Sequence, residues 1–255
     1  MKSHLLLLSL LLSFYSFSQN TTNGSKEKGS SRFEIGVNFS PDLCYRTLDI
    51  IDASATGASL VYNDRNKNEV FKPGFSTGFS ACYYLKKRLG IEAGVQFSDK
   101  GYNRKWYDLS FGSHLDPLFG FNGDTTNMAA KMKLNYHNYY FDIPFSVKYV
   151  LGKKNLRFET RLGVAVNIFI KETITTVLEY NNGEHERSSS ETNYKYEPLN
   201  ISPFAGFGII YQINKSMSLS MAPIIRYGVF KIIKNEPLTA YLWNAGLDIG
   251  FRYRF

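Results

Sequence analysis

Tyr241-Leu242-Trp243-Asn244-Ala245-Gly246-Leu247-Asp248-Ile249-Gly250-Phe251-Arg252-Tyr253-Arg254-Phe255 alternates without a break. Tyr241, Trp243, Ala245, Leu247, Ile249, Phe251, Tyr253 and Phe255 hold the odd positions. Leu242, Asn244, Gly246, Asp248, Gly250, Arg252 and Arg254 hold the even ones. A period of two marks a strand whose faces meet different surroundings. Here one face is apolar and ends in aromatic rings, while the other carries glycine, amide and charge.

The same period recurs upstream, at Arg32–Pro41, Gly74–Leu85, Leu89–Ser98, Tyr139–Tyr149 and Leu156–Ile168. It is weaker at Leu199–Tyr211 and Met217–Val229. Counting the closing stretch, this predicts eight strands. Lys86–Arg88, Gly152–Asn155 and Ile213–Ser216 read as tight turns; Pro41–Pro73, Arg104–Asn138 and Lys171–Pro198 read as long polar loops, and Lys231–Ala240 as intermediate. Tight turns at one end and long loops at the other are the pattern of an outer-membrane barrel. The polar face is rich in glycine, which suits a crowded interior, and eight strands enclose only enough room for their own side chains. The expectation is an all-β, eight-stranded antiparallel transmembrane β-barrel whose apolar face meets lipid. A soluble ligand-binding barrel is the alternative that reverses the two faces.

Composition agrees. The chain has 255 residues, 44% hydrophobic and 16% aromatic, with 18 Tyr and 20 Phe against 2 Trp. Mean hydropathy is −0.25, against a bundle of spanning helices, each of which needs about 20 apolar residues. The net charge of +8 is scattered, unlike a nucleic-acid-binding arm. Met1–Gln19 has Lys2, an apolar Leu5–Leu12 block and small Ser16 and Ser18, the form of a secretory signal. The expected organisation is a signal peptide at 1–18, a flexible periplasmic segment at 19–31 and a barrel domain at 32–255.

Glu34, Glu92, Asp142, Glu159 and Asp248 share the inward face with Lys148, Arg157, Arg161, Arg226, Arg252 and Arg254. Isolated buried charges are costly, so these are expected to pair in a network or meet trapped water, in a lumen plugged by salt bridges. Pro144, Pro203 and Pro223 cannot donate to a ladder, and a bulge or break is expected at Pro144. Cys44 and Cys82 lie at different heights, beyond disulfide reach, and are expected to be free thiols with Cys82 inside the barrel.

Phe251, Tyr253 and Phe255 resemble the terminal signal that barrel-assembly machinery reads during biogenesis. Tyr140-Phe141-Asp142-Ile143-Pro144-Phe145-Ser146-Val147-Lys148-Tyr149 is similar to a strand of the PorT-like outer-membrane β-barrel family of Bacteroidetes, in Tyr140, Asp142, Ile143, Pro144, Lys148 and Tyr149. The resemblance covers about Arg32–Phe255 and implies a non-enzymatic barrel tied to protein secretion or envelope maintenance. It also implies a location in the outer membrane.

No His pair has metal-ligand spacing, no phosphate-binding glycine loop opens a helix, and no cofactor, metal or catalytic residue is expected. Ser113, His114 and Asp116 are adjacent in a loop, the only hint of a rim-active lipid A-modifying enzyme. Trp106–Phe111 and Leu115–Phe121 are apolar for loops and mark a lid over the mouth, a hairpin extended above the membrane or a contact. Thr173–Tyr180 and Thr192–Glu197 are expected to form a hairpin turning at Asn181-Asn182-Gly183. The expected partners are outer-membrane lipid, the assembly machinery and a protein met through the loops or periplasmic face, with no nucleic acid.

Overall fold

The computed structural model describes residues 32–255 except 53, 110–128, 153, 193 and 235. The signal peptide, residues 19–31, Ser113, His114, Asp116 and Leu115–Phe121 lie outside the described residues. Ten strands and one helix follow in order: β1 (Phe33–Ile50), α1 (Ala58–Asn68), β2 (Glu69–Val70), β3 (Lys72–Tyr84), β4 (Leu89–Asp108), β5 (Ala129–Leu151), β6 (Leu156–Tyr180), β7 (His185–Glu191), β8 (Leu199–Gln212), β9 (Met217–Tyr227) and β10 (Leu238–Arg254).

Eight of these strands form a closed ring. The antiparallel order is β1-β3-β4-β5-β6-β8-β9-β10, and β10 returns to β1 from Glu34↔Arg254 to Ile50↔Leu238. Closure removes the sheet edges, whose unpaired N–H and C=O groups hydrocarbon could not satisfy. β2 and β7 are accessory, pairing with β4 and β6.

The two faces are inverted relative to a water-soluble barrel. Phe79, Leu162 and Phe207 point outward at 65%, 61% and 58% exposure. Glu34, Asp142, Lys148, Glu159 and Asp248 are buried. At the upper edge of the apolar surface Phe39, Phe75, Phe97 and Tyr139 form a row across four adjacent strands, with ring centroids 6.5, 6.1 and 5.7 Å apart. At the lower edge Phe255 packs against Phe33 and Tyr253 at 5.8 and 5.2 Å. Aromatic girdles at both margins of an apolar band are the mark of a lipid-facing barrel.

The inward face itself changes chemistry partway up. On β1 the inward series runs Glu34, Asn38, Ser40, Asp42, Cys44, Arg46 and then Leu48. On β10 it runs Arg252, Asp248, Asn244 and then Leu242 and Ala240. Above that level Leu48, Tyr102, Tyr140, Ile232, Ala240 and Leu242 form an apolar cluster inside the ring, with Tyr136 and Phe169 packed against it. On the outside of this upper section are the exposed Thr47 and Asp49 and the exposed Lys171–Glu191 ion pair. The lower barrel is greasy outside and carries the charges inside, around small apolar clusters at Cys82, Tyr84, Val150 and Ile210 and at Ala165, Phe204 and Ile224; the upper barrel has a water-soluble protein's core.

The prolines settle into ladder gaps. On β1–β10 the pairing stops at Phe39↔Ile249 and resumes in the same register at Asp42↔Gly246, skipping Pro41. On β4–β5 it skips Pro144 between Ala93↔Phe145 and Gln96↔Asp142. On β8–β9 it skips Pro223 between Gly206↔Ile224 and Ile209↔Met221. Each proline stays paired on its other flank, Pro41 to Phe75, Pro144 to Ala165 and Pro223 to Leu247. The break expected at Pro144 is present, but there is no bulge there. Gly94 faces the ring instead, and a Cβ at Gly94 would sit 3.4 Å from Pro144 Cγ. Register shifts lie farther up: β6 skips Ile170 between Tyr139↔Lys171 and Tyr140↔Phe169, with others at Ala129/Lys131 and, on β4, at Arg104/Tyr107.

Several loop boundaries differ from the sequence expectation. β1 runs through Pro41 to Ile50 and α1 fills part of the stretch expected to be loop. β5 begins at Ala129 and β6 continues to Tyr180, so both stand well beyond the roughly ten residues that cross lipid. The outer hairpin is real, but its returning strand is His185–Glu191 and not Thr192–Glu197. Cys44 and Cys82 are free and buried, Cys82 beside Tyr84, Val150 and Ile210.

Candidate functional site: the charged lumen and the outer mouth

The inward charges sort into tiers. In the lowest, Lys148 Nζ lies 3.1 Å from Glu34, 3.4 Å from Glu159 and 3.8 Å from Glu92. Arg252 Nη1 reaches Glu92 at 3.0 Å, Glu34 at 3.5 Å and Glu159 at 3.6 Å. Arg161 meets Asp248 at 2.5 Å, and Glu92 and Glu159 at 3.5 and 3.6 Å. Arg254 holds Glu34 at 2.8 Å and lies over the Tyr84 ring. Four cations therefore face four carboxylates, which is how such a cluster tolerates a water-poor interior.

The middle tier has two hubs. Asp42 accepts from Ser40 at 2.6 Å, Ser76 at 2.7 Å, Asn244 at 2.8 Å and Arg226 at 3.2 Å. Asp142 accepts from Asn167 at 2.6 Å and Ser98 at 2.8 Å, and pairs with Lys100 at 3.0 Å. At the top, Glu69 joins Arg46 at 2.6 Å and Arg65 at 2.7 Å, and Arg46 reaches α1 through Asn66 and the Arg65 carbonyl. Beside it Asp99 binds Lys72 at 2.6 Å and His137 Nδ1 at 2.9 Å.

The inward charges expected from sequence are spread over more than one group. Glu34, Glu92, Glu159, Asp248, Lys148, Arg161, Arg252 and Arg254 come together. Arg226 and Asp142 belong to separate hubs, partnered by Asp42 and Lys100. Arg157 is half-buried at the turn end and donates to Gln212, with no carboxylate partner among the described residues. Sequence reasoning missed Asp42, Arg46, Glu69, Lys72, Asp99, Lys100 and Glu172. Most continue the inward parity of strands it ended too early. Two voids inside the ring, one bordered by Glu92, Asp142, Arg161 and Asp248 and one by Lys100, Tyr140, Asn167 and Leu242, measure about 20 and about 10 Å³. Each is about one water in size.

The outer mouth is roomier. α1, capped by Gly57 at φ 81°, folds across it. Beneath it lies a cavity of about 400 Å³ bounded by Tyr102, Tyr136, Tyr196, Arg65, Glu69 and Glu172. His185 is exposed at the start of β7, with its ring 6.3 Å from Trp106. Phe251, Tyr253 and Phe255 project from the lower lipid-facing edge. In the Tyr140–Tyr149 strand, Tyr140, Asp142 and Lys148 are buried and Tyr149 is exposed.

The sequence profile of a family described as outer membrane protein beta-barrel domain matches residues 15–231. The chain belongs to this family. Its location is the cell outer membrane, and the greasy band already described is the lipid contact. No curated protein matches the chain. Among solved structures it is similar to Neisserial surface protein A, at 13% identity, TM-score 0.47, covering 89% of this chain and 100% of that one. The outer membrane protein OprG of Pseudomonas aeruginosa shares 14% identity with TM-score 0.42, covering 89% and 97%. Ail, the attachment invasion locus protein of Yersinia pestis, shares 10% with TM-score 0.36, covering 89% and 99%.

Membership makes a topological prediction. Single cysteines placed by Ile249→Cys or Leu219→Cys in a background without Cys44 and Cys82 will resist a water-borne maleimide in intact membranes. Asp49→Cys, above the band, will react. Equal labelling at all three sites would contradict the lipid assignment.

Proposed function

We propose that this family member is a non-enzymatic outer-membrane barrel with a plugged lumen, acting through what it binds at its outer mouth and loops. The supporting observation is the charge tiers, which leave voids of about 20 and 10 Å³ where an ion path would need continuous water. In planar bilayers the purified barrel is expected to give no discrete conductance steps. Stable steps that persist in the folded, heat-modifiable protein would overturn the plug.

The likeness of Tyr140–Tyr149 to the PorT-like strand supports a role in secretion or envelope maintenance, with a protein partner at the loops or periplasmic face. A deletion strain that exports its surface proteins normally and keeps an intact envelope would remove that role. Recognition of Phe251, Tyr253 and Phe255 by the assembly machinery belongs to the same reading.

A second reading has one observation behind it. His137 is oriented by Asp99 at the outer rim, the way a general base is held in a lipid-modifying enzyme. A lipid A acyl pattern that changes on deletion, and is not restored by His137→Ala or His114→Ala, would establish it and remove the first.

A further inference from the structure

The mouth cavity has a charge imbalance that its own residues do not resolve. Arg65 is held by Glu69 at 2.7 Å and donates to the Tyr102 hydroxyl at 3.0 Å. Arg104 is held by Asp64 at 2.8 Å, and Arg46, just beneath, by Glu69 at 2.6 Å. Every cation at this end of the cavity already has its carboxylate. Glu172 does not have a cation. Its side chain is buried, at 4% exposure, and it lines the cavity. Its carboxylate accepts from neutral groups, from the Thr192 hydroxyl at 2.8 Å, from the Tyr196 hydroxyl and from the Asn138 side chain. Among the described residues no Lys, Arg or His lies within ion-pair distance of it. A buried carboxylate satisfied only by neutral donors is an expensive arrangement unless something positive arrives.

The surroundings select what that something is. Tyr102, whose ring already carries Arg46 and Arg65, stacks on Tyr136 at 4.6 Å, and Tyr196 is stacked on Phe169 at 4.5 Å, so the Tyr136 and Tyr196 walls are fixed in place. Tyrosine faces attract ammonium groups, most strongly when water is excluded. The cavity, about 400 Å³, has the size of a small-molecule site. A bare metal ion is a poor fit: no group of three or more His, Cys, Asp or Glu converges among the described residues. We infer that the outer mouth is a binding site for a compact organic cation, an amine or quaternary ammonium, with Glu172 as its counter-charge and Tyr136 and Tyr196 as its walls. This rests on the mouth being the binding face of the proposed function, whereas the plug is tested separately by conductance.

The test is calorimetric titration of the full-length protein in detergent with tetramethylammonium, spermidine and, as a neutral control, glucose. Both cations are expected to bind and glucose to be silent. Glu172→Gln is expected to weaken cation binding tenfold or more, while Glu172→Asp, which keeps the charge, retains part of it. Tyr136→Leu is expected to weaken tetramethylammonium more than spermidine. Burial pushes the Glu172 carboxyl up, and it lies beyond the lipid band, among Tyr102, Tyr196, Thr192, Asn138 and Arg65. A raised carboxyl loses its charge first on acidification, so wild-type affinity falls as pH drops, and Glu172→Gln flattens that dependence. This pH profile on the unmodified protein still decides the matter if the Gln variant fails to fold. Glucose binding as tightly as the cations would overturn the inference. So would absence of cation binding at millimolar concentration, or wild-type affinity in Glu172→Gln.

Discussion

Lys148→Met is expected to destabilise the barrel by about 3–5 kcal/mol, the cost of stripping one partner from a buried ion cluster. Lys148 is fully buried and touches three carboxylates, Glu34, Glu92 and Glu159. Without it four carboxylates face three arginines, and the excess charge has no route to water. The measurement is the urea midpoint of folding into lipid vesicles, read from the gel shift of the folded form. The double variant Lys148→Met with Glu159→Gln restores the balance and is expected to recover more than half the loss. A single variant that costs under about 1 kcal/mol, as an exposed pair would, shows that the cluster is not what holds the lower barrel.

The second large effect is on the opposite face. Val164 is 46% exposed near the middle of the outward apolar run of β6. Val164→Arg is expected to cost about 2–4 kcal/mol in the same assay, the penalty for a guanidinium near the bilayer midplane. Thr47→Arg, on an exposed site above the band, is expected to stay within about 0.5 kcal/mol. The contrast between the two is what matters: equal costs would mean that both sites face the same medium.

The staves of the barrel were legible because lipid makes the period of two unusually clean. Tyr241–Phe255 alternates for its whole length, and so did the inward acids and bases of the lower tier. What stayed hidden lies above the membrane, where that rule changes. Leu48 and Leu242 are inward but apolar, so the polar-in rule of the lower strands does not mark them. Pro41 looked like a terminus, yet it sits in a one-sided ladder gap and β1 carries on through Asp42 and Arg46. β7 has every residue exposed and therefore no alternation to detect. α1 buries only Ala58 and lacks an apolar stripe, and its place is set by the Arg46, Arg65 and Glu69 ion pairs, which no apolar period signals. The mouth cavity was out of reach for the same reason: Glu172 gains its meaning only when β4, β5, β6 and the Tyr196 segment meet.

The switch from Arg46 to Leu48 on β1, and from Asn244 to Leu242 on β10, has a consequence for how the molecule stays where it is. Once the upper strands emerge, Leu48, Tyr102, Tyr140 and Leu242 collapse together on the far side of the bilayer, driven by water and not by lipid. Withdrawing any strand would first require that small globule to be pulled apart. The barrel is thereby riveted: a head formed in one solvent secures a shank that folds in another.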